Sequence, residues 1–407
     1  MYGLLTGMRV VEAASFIAAP SCALHLAQMG AEVVRIDQIG GGPDFGRWPL
    51  APRDGRSLYW EGLNKGKKSI AIDLGRPEGR ELAVQIITAP GPGAGLFVTN
   101  FPVGGFLAYD RLQTKRPDLV CLRLMGWGDG RPAMDYTVNA AIGIPAITGP
   151  VDADPVNHVL PAWDLIAGAY GAFCLVSAEL KRRGGGGGCE IRLPLSDVGI
   201  ASVGHLGWLA EAQLIGERER LGNELYGAFG RDFISADGKR LMVVAVTPKQ
   251  WRGLVSMLEV GPDVAALEAE LGVNFERDEG LRFIHRGRLY PLFAAAFARK
   301  HSDDLAAGFE AAGVTWAPFQ TLREAVHADP HVSPANPMLA AVAHGGDTYL
   351  TPGAAATIPQ HVRGVPATAP ALGRDSEAVL ADILGLSSGE IGRLHDSGLV
   401  ASPAQAG

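Results

Sequence analysis

The sequence predicts an α/β protein whose larger part is a doubly wound parallel sheet, joined to a smaller α+β region. Strand-like and helix-like runs alternate over about the first 200 residues. The strand-like runs are short, apolar and rich in Val and Ile, which is typical of strands buried on both faces of a parallel sheet. After about residue 220 the pattern changes to a hairpin followed by amphipathic helices, which indicates the second region.

Each element of the first half follows from the spacing of its apolar residues. Short apolar runs bounded by turn residues predict strands, and an apolar residue at every third or fourth position predicts a helix. The predicted elements are a strand Arg9–Glu12, a helix Pro20–Met29, strands Glu32–Asp37 and Ser69–Asp73, a helix Pro77–Thr88, strands Gly95–Thr99 and Leu119–Met125, a long helix after Asp164, a strand Cys189–Leu193 and a helix Asp197–Leu214.

The second half is organised differently. A turn sequence, Ala-Asp-Gly-Lys, joins two apolar runs, so Asp232–Val246 is predicted to be a hairpin. The segment Ala328–Ala369 is rich in Pro, Gly and Ala and is expected to contain only a few short strands. The predicted helices are Lys249–Leu258, Glu279–Ala298, Asp303–Ala312, Asp375–Leu384 and Ser387–Ser397.

Composition excludes some classes of function. Of the 407 residues, 47% are hydrophobic and the formal net charge is −7. The chain can therefore bury a large core, but it lacks the basic field that nucleic acid requires, so we expect no nucleic-acid partner. The four cysteines show neither a CxxC motif nor a metal-ligand spacing, and we interpret them as buried free thiols of a reducing cytoplasm, with no metal site. They are Cys22, Cys121, Cys174 and Cys189.

No membrane association is expected. The N-terminal residues lack the pattern of a signal peptide, and no apolar run reaches the roughly 18 to 20 residues of a membrane span. The longest apolar run, Leu165–Leu180, contains Glu179 and two glycines, which predicts a core helix. We therefore expect a cytoplasmic protein.

Two glycine runs have structural interpretations. Gly40–Gly42 follows the second predicted strand, whereas a dinucleotide fingerprint places its glycines at the first strand-to-helix turn, so NAD binding is disfavoured. Gly184–Gly188 follows three basic residues, which is typical of a helix C-terminus and its turn.

Asp164 is the only acidic residue between Asp154 and Glu179, and it precedes an almost wholly apolar segment. Near a helix N-terminus such an acid is stabilised by backbone amides and the helix dipole, so it can be a structural cap. It can also be a reactive group, because placing a carboxylate beside apolar residues is costly. His158 lies nearby in sequence and is either a base for Asp164 or structural.

The densest basic cluster is Asn64–Ser69, which contains three lysines. In isolation it is typical of a solvated loop. Before a strand of a ligand-binding sheet, it suits a ligand that carries phosphate, because Lys recognises phosphate as a point charge.

Taken together, these segments resemble the class III CoA-transferases of the CaiB/BaiF type, which include acyl-CoA racemases. The likeness covers nearly the whole chain. Each segment is weak alone, but their order and spacing are specific to the family. The segments are Leu5–Glu12, Ala18–Pro20, Leu26–Asp37, Leu63–Leu74, Thr99–Pro102, Thr148–Pro150 and the helix that opens at Asp164.

This resemblance implies an architecture. It implies a doubly wound, Rossmann-like large domain made of residues 1–220 and 320–407, with a smaller α+β domain inserted at 225–318. It also implies an interlocked homodimer, in which the small domain is a plausible lid.

The resemblance further implies that Asp164 is the nucleophile that attacks the thioester of an acyl-CoA. A carboxylate is suitable because it is ionised at neutral pH and needs no general base, and helix-end amides hold the anion. No permanent cofactor is expected, because coenzyme A is part of the substrate. The residues expected to contact CoA are Ala18, Ala19, Arg35, Asn64, Lys65, Lys67, Lys68, Asn100 and Phe101.

Two positions depart from the family pattern. Racemases have a His where this chain has Met134, so proton abstraction is disfavoured. The family commonly has Arg where this chain has Pro102, so one contact to a CoA phosphate is missing or supplied elsewhere.

Further segments resemble the branch that moves CoA between the C1 and C4 carboxyls of mesaconyl-CoA: Pro92–Pro102, Val156–Asp164 and Gly222–Phe233. Such a site must hold a free carboxylate, for which Arg offers two-point recognition. The alternatives are intermolecular CoA transfer to a free dicarboxylate, an acyl-CoA racemase and a non-catalytic CoA-binding protein. The residues expected to contact the acyl group are Arg47, His158, Tyr226 and Arg231.

Overall fold

The structure is a computed structural model that describes residues 1–403. Its strands are β1 (Arg9–Ala13), β2 (Glu32–Gln38), β3 (Lys68–Ile72), β4 (Leu96–Thr99), β5 (Val120–Met125), β6 (Cys189–Pro194), β7 (Phe229–Ile234), β8 (Arg240–Ala245), β9 (Thr315–Pro318), β10 (Leu339–His344), β11 (Asp347–Pro352) and β12 (Val400–Ala401).

The structure also contains α-helices and two short 3-10 helices. The 3-10 helices are Ile144–Ile147 and Pro330–Val332. The bounds of the α-helices follow. They are α1 (Ala18–Gln28), α2 (Leu58–Asn64), α3 (Pro77–Thr88), α4 (Tyr109–Lys115), α5 (Asp135–Ala141), α6 (Ala162–Arg183), α7 (Leu195–His205), α8 (Trp208–Leu214), α9 (Pro248–Met257), α10 (Gly261–Leu271), α11 (Glu279–Ile284), α12 (Arg286–Phe297), α13 (Ser302–Ala312), α14 (Leu322–Ala328), α15 (Ser376–Leu384) and α16 (Ser388–Asp396).

A seven-stranded sheet organises the larger part of the chain, in the order β12-β3-β2-β1-β4-β5-β6. The strands from β3 to β6 pair in parallel, and only β12 pairs antiparallel, with β3. The sequence-based prediction of a mixed α/β fold with a mainly parallel sheet is therefore confirmed. The carboxyl ends of the parallel strands meet at one edge, where ligands bind in folds of this type.

Helices cover both faces of this sheet. Cys121 of β5 packs in a core with residues of α3, α4, α15 and α16. Its neighbour Leu122 points to the opposite face, because side chains alternate along a strand, and there it lies beside Gly171 of α6. The strands are buried on both sides, which explains why their sequences are mainly apolar and do not alternate with exposed polar residues.

The chain divides into two compact units. The larger one comprises residues 1–142, 159–214 and 330–407, and the smaller one comprises 143–158 and 215–329. The predicted small domain, 225–318, falls within the smaller unit, which also contains 143–158, a segment that we had assigned to the large domain. Sequence periodicity does not reveal this segment, because it is mostly loop.

The smaller unit has its own core. An antiparallel sheet of order β7-β8-β9 packs against α9 to α13 through aromatic side chains, of which Phe229, Phe233, Phe293 and Phe297 are the most closely stacked. The predicted hairpin is the β7–β8 pair.

Two predicted helices are interrupted. The predicted helix Asp197–Leu214 is α7 and α8, which are separated at Gly207, whose φ of +80° favours glycine. The predicted helix Glu279–Ala298 is α11 and α12, with the break at His285. Sequence inspection also missed α2, α4, α5, α10 and α14.

Helix α6 is less buried than a core helix. One face packs on α1 and β5, but the other exposes Leu165, Ile166, Tyr170 and Phe173, the last with 64% of its surface accessible. The prediction of a core helix is therefore wrong for this exposed face. Within residues 1–403, α6 is also the one helix that is long and apolar enough to span a bilayer. This is weak evidence for a membrane span, because core helices of soluble proteins pass the same test.

Candidate active site

The first turn of α6 brings two carboxylates together. Asp135 at the start of α5 is buried, and its Oδ2 accepts hydrogen bonds from the backbone amides of Trp163 (2.7 Å) and Asp164 (3.2 Å). The indole of Trp163 donates to Asn139 Oδ1 (3.1 Å), which ties α6 to α5. Asp135 therefore caps α6, and the side chain of Asp164 does not serve as the cap.

Asp164 lines a cavity of about 590 Å³. The cavity lies at the carboxyl edge of the sheet, and its walls include the β1–α1 turn, the residues after β4 and the residues after β5. Ala18, Asn100, Phe101 and Met134 line the same cavity, so the structure brings these positions together with Asp164. The lining residues named from sequence are thus gathered from four separate segments of the chain.

The β1–α1 turn is held in a strained shape. Phe16 has a φ of +69°, which is costly for a residue other than glycine. Its amide donates to Asp44 Oδ2 (3.1 Å), and the side chain of Asn100 bonds both the amide (3.2 Å) and the carbonyl (2.9 Å) of Ser15. This turn presents the N-terminus of α1, which has no side-chain cap, to the cavity.

Burial, and to a smaller extent the negative charge of Asp135, raise the pKa of Asp164 from 3.8 to about 7. The sequence-based expectation that amides at the start of α6 hold the Asp164 carboxylate is not met, because the backbone amides of Trp163 and Asp164 donate to Asp135 instead. Near pH 7, both protonation states of Asp164 are populated.

Arg35, Asn64 and Lys67 lie in a buried ionic network. The guanidinium of Arg35 contacts Glu12 (2.9 Å), Asp37 (2.6 Å) and Asp44 (3.3 Å), while Nζ of Lys67 contacts Glu12 Oε2 (2.7 Å) and Asn64 Oδ1 (2.9 Å). These side chains are at most 1% exposed, so they support the β1–α1 turn from the protein interior and do not contact solvent. Their contact with CoA stays a prediction.

Lys65 and Lys68 differ from Lys67. Lys68 is half-buried and pairs with Glu32. Lys65 is buried, and desolvation lowers its pKa to about 8. No hydrogen bond or ion pair joins its ammonium to another side chain in the part of the chain that the structure describes, so it is available to an anion.

Arg123 of β5 fixes the loop after β4 through hydrogen bonds to its backbone. Its buried guanidinium donates to the carbonyls of Phe101 (2.8 Å), Pro102 (2.9 Å) and Leu107 (2.8 Å), and pairs with Glu190 (2.9 Å). Arg123 therefore shapes the wall of the cavity where Phe101 and Pro102 lie, but its own charge is sequestered.

The side chains of Arg47 and Tyr59 lie next to each other, a proximity that the sequence does not predict. The guanidinium of Arg47 lies over the rings of Phe16 (5.8 Å) and Tyr59 (5.4 Å), and Phe16 lines the cavity of Asp164. Tyr59 is in α2, a helix absent from the sequence-based prediction, and for that reason it was not considered a site residue.

The other predicted contacts lie in the smaller unit. His158, Tyr226 and Arg231 all belong to it. Arg231 lies over the ring of Tyr290 (4.9 Å) and near Glu224 (3.6 Å), and Tyr226 packs edge-on against Phe283. Their participation stays a prediction.

Cysteine and metal chemistry have no support in the described residues. Cys22 and Cys121 are buried and Cys174 and Cys189 half-buried, all as free thiols. Between residues 1 and 403, no group of three or more His, Cys, Asp or Glu side chains could hold a metal ion.

Comparison with known proteins agrees with this geometry. The model of CoA-transferase family III matches residues 5–376. The chain is 47% identical over 409 residues to a 2-methylfumaryl-CoA isomerase of Chloroflexus aurantiacus, with 100% of both chains covered. It is 28% identical to a succinyl-CoA–D-citramalate CoA-transferase of the same organism, with 96% of each chain covered.

The fold has a solved counterpart. A crystal structure of a CAIB/BAIF family protein from Brucella suis superposes with a TM-score of 0.76 at 23% identity, covering 94% of this chain and 100% of that one. At this identity the likeness shows the fold alone. Because the family model spans most of the sequence and the isomerase matches it from end to end, the chain belongs to CoA-transferase family III.

Proposed function

We propose that this protein moves coenzyme A between the C1 and C4 carboxyls of mesaconyl-CoA (2-methylfumaryl-CoA), with Asp164 as the nucleophile. The observation that carries the chemistry is the Asp164 carboxylate in a cavity of about 590 Å³, beside the uncapped N-terminus of α1. The choice of substrate is supported by the full-length identity of 47% to the 2-methylfumaryl-CoA isomerase.

The proposed reaction proceeds by acyl exchange. Ionised Asp164 attacks the thioester carbonyl, the carbon–sulfur bond breaks, and a mixed anhydride and CoA thiolate form. The thiolate attacks the aspartyl carbonyl, which releases mesaconate and leaves an aspartyl-CoA thioester. The other carboxylate of mesaconate then attacks this thioester, and the same two steps run in reverse to give the isomeric mesaconyl-CoA.

Two features of the site suit this sequence. The amides of Ala18 and Ala19 at the start of α1 can stabilise the oxyanions that develop in each attack, because helix N-terminal amides favour negative charge. The raised pKa of Asp164 also makes its carboxylate a stronger nucleophile, at the cost of needing a proton removed near pH 7.

We assign the remaining predicted contacts as follows. Asn100 and Phe101 form the wall along which CoA extends, and Lys65 and Lys68 meet its phosphates. Arg47 holds the free carboxylate of the acyl group, since its guanidinium has no hydrogen bond or ion pair with the rest of residues 1–403. His158, Tyr226 and Arg231, which belong to the smaller unit, remain proposed contacts of the acyl group.

Assembly and compartment are also part of the proposal. The apolar face of α6 supports a homodimer, because exposed apolar patches of this kind are usually covered. We place the enzyme in the cytoplasm, where its CoA substrate and free thiols are compatible with reducing conditions.

Intermolecular transfer to a separate dicarboxylate is the second candidate, favoured by the 28% identity to the succinyl-CoA–D-citramalate CoA-transferase. A racemase is disfavoured because Met134, which lines the cavity, cannot exchange a proton.

Labelled mesaconate separates the two transfer reactions. Enzyme, mesaconyl-C1-CoA and labelled free mesaconate are incubated together, and thioester products are separated and counted. We expect the C4 isomer without label, because the acyl group stays in the site; label in the thioester would establish the intermolecular reaction instead. Asp164→Asn should abolish isomerisation, and near-normal turnover of this variant would contradict the assignment of the nucleophile.

A further inference from the structure

Asp44 is a buried acid in the loop after β2, and the proposed reaction does not use it. Its side chain is 1% exposed, and its Oδ2 accepts the backbone amide of Phe16 at 3.1 Å. The same oxygen pairs with the guanidinium of Arg35 at 3.3 Å. Burying a carboxylate is costly unless its oxygens are bonded, so these two contacts hold Asp44 in one position.

Asp44 differs from the other two acids that contact Arg35. Glu12 also pairs with Lys67, and Asp37 also accepts a hydrogen bond from a hydroxyl of β3, so the further contacts of both acids lie inside the large sheet. The further contact of Asp44 is the β1–α1 turn, which lines the candidate active site. Asp44 therefore connects the buried ionic network to the cavity wall.

The residue that Asp44 holds has an unfavourable backbone conformation. The φ of Phe16 is +69°, and such a conformation persists in a residue other than glycine only where neighbouring contacts enforce it. Asn100 holds the preceding residue, Ser15, by its amide at 3.2 Å and by its carbonyl at 2.9 Å. Two side chains from separate loops therefore fix two consecutive residues of the cavity wall. Without the Asp44 contact, Phe16 can relax to a negative φ.

The run Gly40–Gly42, which follows β2, permits this contact. A methyl group built on Gly42 would lie 3.1 Å from Oδ1 of Asp44 and 3.2 Å from Oγ of Ser15. Both distances are shorter than ordinary van der Waals contact, so a side chain on Gly42 would displace Asp44 or the turn. The absence of a side chain at this position is thus explained by how closely the loop after β2 approaches the β1–α1 turn.

Resting on the proposed function, we propose that Asp44 is a positioning residue for CoA transfer. By holding the amide of Phe16, it keeps the β1–α1 turn in place beside Asp164. The α1 amides that stabilise the oxyanions in the proposed function follow directly after this turn. When the turn relaxes, these amides move relative to the reacting carbonyl. The wall proposed to bind CoA belongs to another segment, so the loss falls on the reaction step and not on binding.

The test measures kcat and KM for isomerisation of mesaconyl-CoA by wild type, Asp44→Ala, Asp44→Asn and Asp37→Ala. Asp37 is the matched control, because it is also buried and contacts the same guanidinium at 2.6 Å, but its other oxygen bonds β3 instead of the turn. Both alanine variants remove one carboxylate from the network, so both should have a lower Tm than wild type. Asp44→Asn retains an oxygen that can accept the amide of Phe16.

We expect Asp44→Ala to lower kcat by about tenfold to a hundredfold, since a displaced oxyanion donor costs transition-state stabilisation, while KM stays within about twofold of wild type. Asp44→Asn should recover most of the lost kcat, and Asp37→Ala should keep the wild-type kcat despite its lower Tm. An unchanged kcat in Asp44→Ala, an equal loss of kcat in both alanine variants, or a loss confined to KM would overturn the inference.

Gly42→Ala tests the same contact without removing a charge. Its methyl group should displace Asp44 from the turn and lower kcat, with KM unchanged. Gly46→Ala, in the same loop, is its control, because nothing lies within 4 Å of the added methyl group, and it should react as wild type. If Asp44→Ala does not fold, these two variants decide the question, and equal kcat values in both would contradict the inference.

The proposed function has a separate outcome. A wild-type protein that does not isomerise mesaconyl-CoA would overturn the proposed function and this inference with it. In an active wild type, a full kcat in Asp44→Ala overturns the role of Asp44 alone and leaves the proposed function standing.

Discussion

At the scale of single residues, Asp135 and Asp164 lie close together but differ in their hydrogen bonds and in their pKa. Asp135 gives its Oδ2 to the amides that open α6, so its charge is used for structure. Asp164, in the same turn, receives none of these amides and is pushed toward its protonated form. A sequence can show that an acid lies near a helix start, but it cannot show that a second acid from another helix has taken the cap.

The raised pKa of Asp164 makes a prediction for the pH dependence of transfer. Because the proposed nucleophile is the ionised carboxylate, kcat/KM should rise with pH through about 7 and become level above it. In Asp135→Asn the like charge is removed while the amide oxygen can still cap α6, so the rising limb should move about one pH unit lower. Burial is the larger cause of the shift, so the limb should remain above the ordinary value of 3.8.

The measurement is the pH profile of isomerisation for both proteins. An unmoved limb in Asp135→Asn would show that Asp135 does not set the ionisation of Asp164. The pH dependence of stability tests the direction of this pKa shift. Because the pKa of Asp164 is higher in the folded protein than in the unfolded chain, ionisation of Asp164 disfavours the folded state increasingly as pH rises from about 4 to about 7. Asp164→Asn removes this penalty, and its gain in Tm over wild type should be larger at pH 8 than at pH 5.

At the scale of elements, the position of Asp164 depends on how closely α6 crosses α1. Gly168 lies one turn after Asp164, and a methyl group built on it would lie 1.9 Å from Ser21 Oγ and 3.0 Å from the carbonyl oxygen of Ala18. Only a residue without a side chain permits this crossing, because the second obstacle is backbone. The two helix starts at the cavity are therefore set by contacts one turn further along.

Gly168→Ala should lower the free energy of unfolding by about 1–3 kcal/mol, since the added methyl must separate two packed helices. Transfer activity should fall as well, because α6 carries Asp164 away from the start of α1. Urea unfolding followed by circular dichroism measures the first effect, and isomerisation at pH 8 the second.

Gly287→Ala is the matched control, since its site in α12 has nothing within 4 Å of the added methyl. There we expect a neutral effect or a gain approaching about 1 kcal/mol from helix propensity. Equal behaviour of the two variants would show that the crossing of α1 and α6 tolerates a side chain.

The elements also show what sequence can and cannot predict. The six parallel strands of the large sheet were found because each has an apolar centre, as at Leu96–Val98, whereas the short strand β12 was missed. Helix α2 was missed because it is short and lies between loops, and its side chains Tyr59 and Trp60 take their places only in the folded chain. The role proposed for Asp164 comes from the family pattern. Its neighbours Asp135 and Tyr59 belong to other helices, and their proximity arises only from tertiary packing, which sequence inspection does not show.

At the scale of the whole molecule, the exposed face of α6 predicts association. Phe173 is 64% and Leu180 72% exposed on a helix that is otherwise apolar, and leaving such a face in water is unfavourable. We expect the wild-type protein to sediment as a dimer. A charge at the centre of the face should disrupt it, so Phe173→Glu should sediment mainly as a monomer, with reduced activity if the site depends on assembly.

Leu322→Glu is the control, because Leu322 is 87% exposed on α14 in the smaller unit, away from α6 in the chain. It should remain a dimer. Analytical ultracentrifugation over a range of concentrations distinguishes these outcomes, and a monomeric wild type would contradict the expected assembly.

The pairing of β12 with β3 has a consequence for biosynthesis. The amide of Ser69 in β3 is bonded by Asp375, 306 residues later, and Ile72 pairs with Val400 near the C-terminus. On the ribosome, the apolar outer edge of β3 therefore stays open until almost the whole chain has been translated. An open strand edge of this kind is a template for intermolecular pairing. Val400 and Ala401 therefore close this edge only late in synthesis, and replacing them with proline, which cannot donate to the ladder, should lower the soluble yield of the protein.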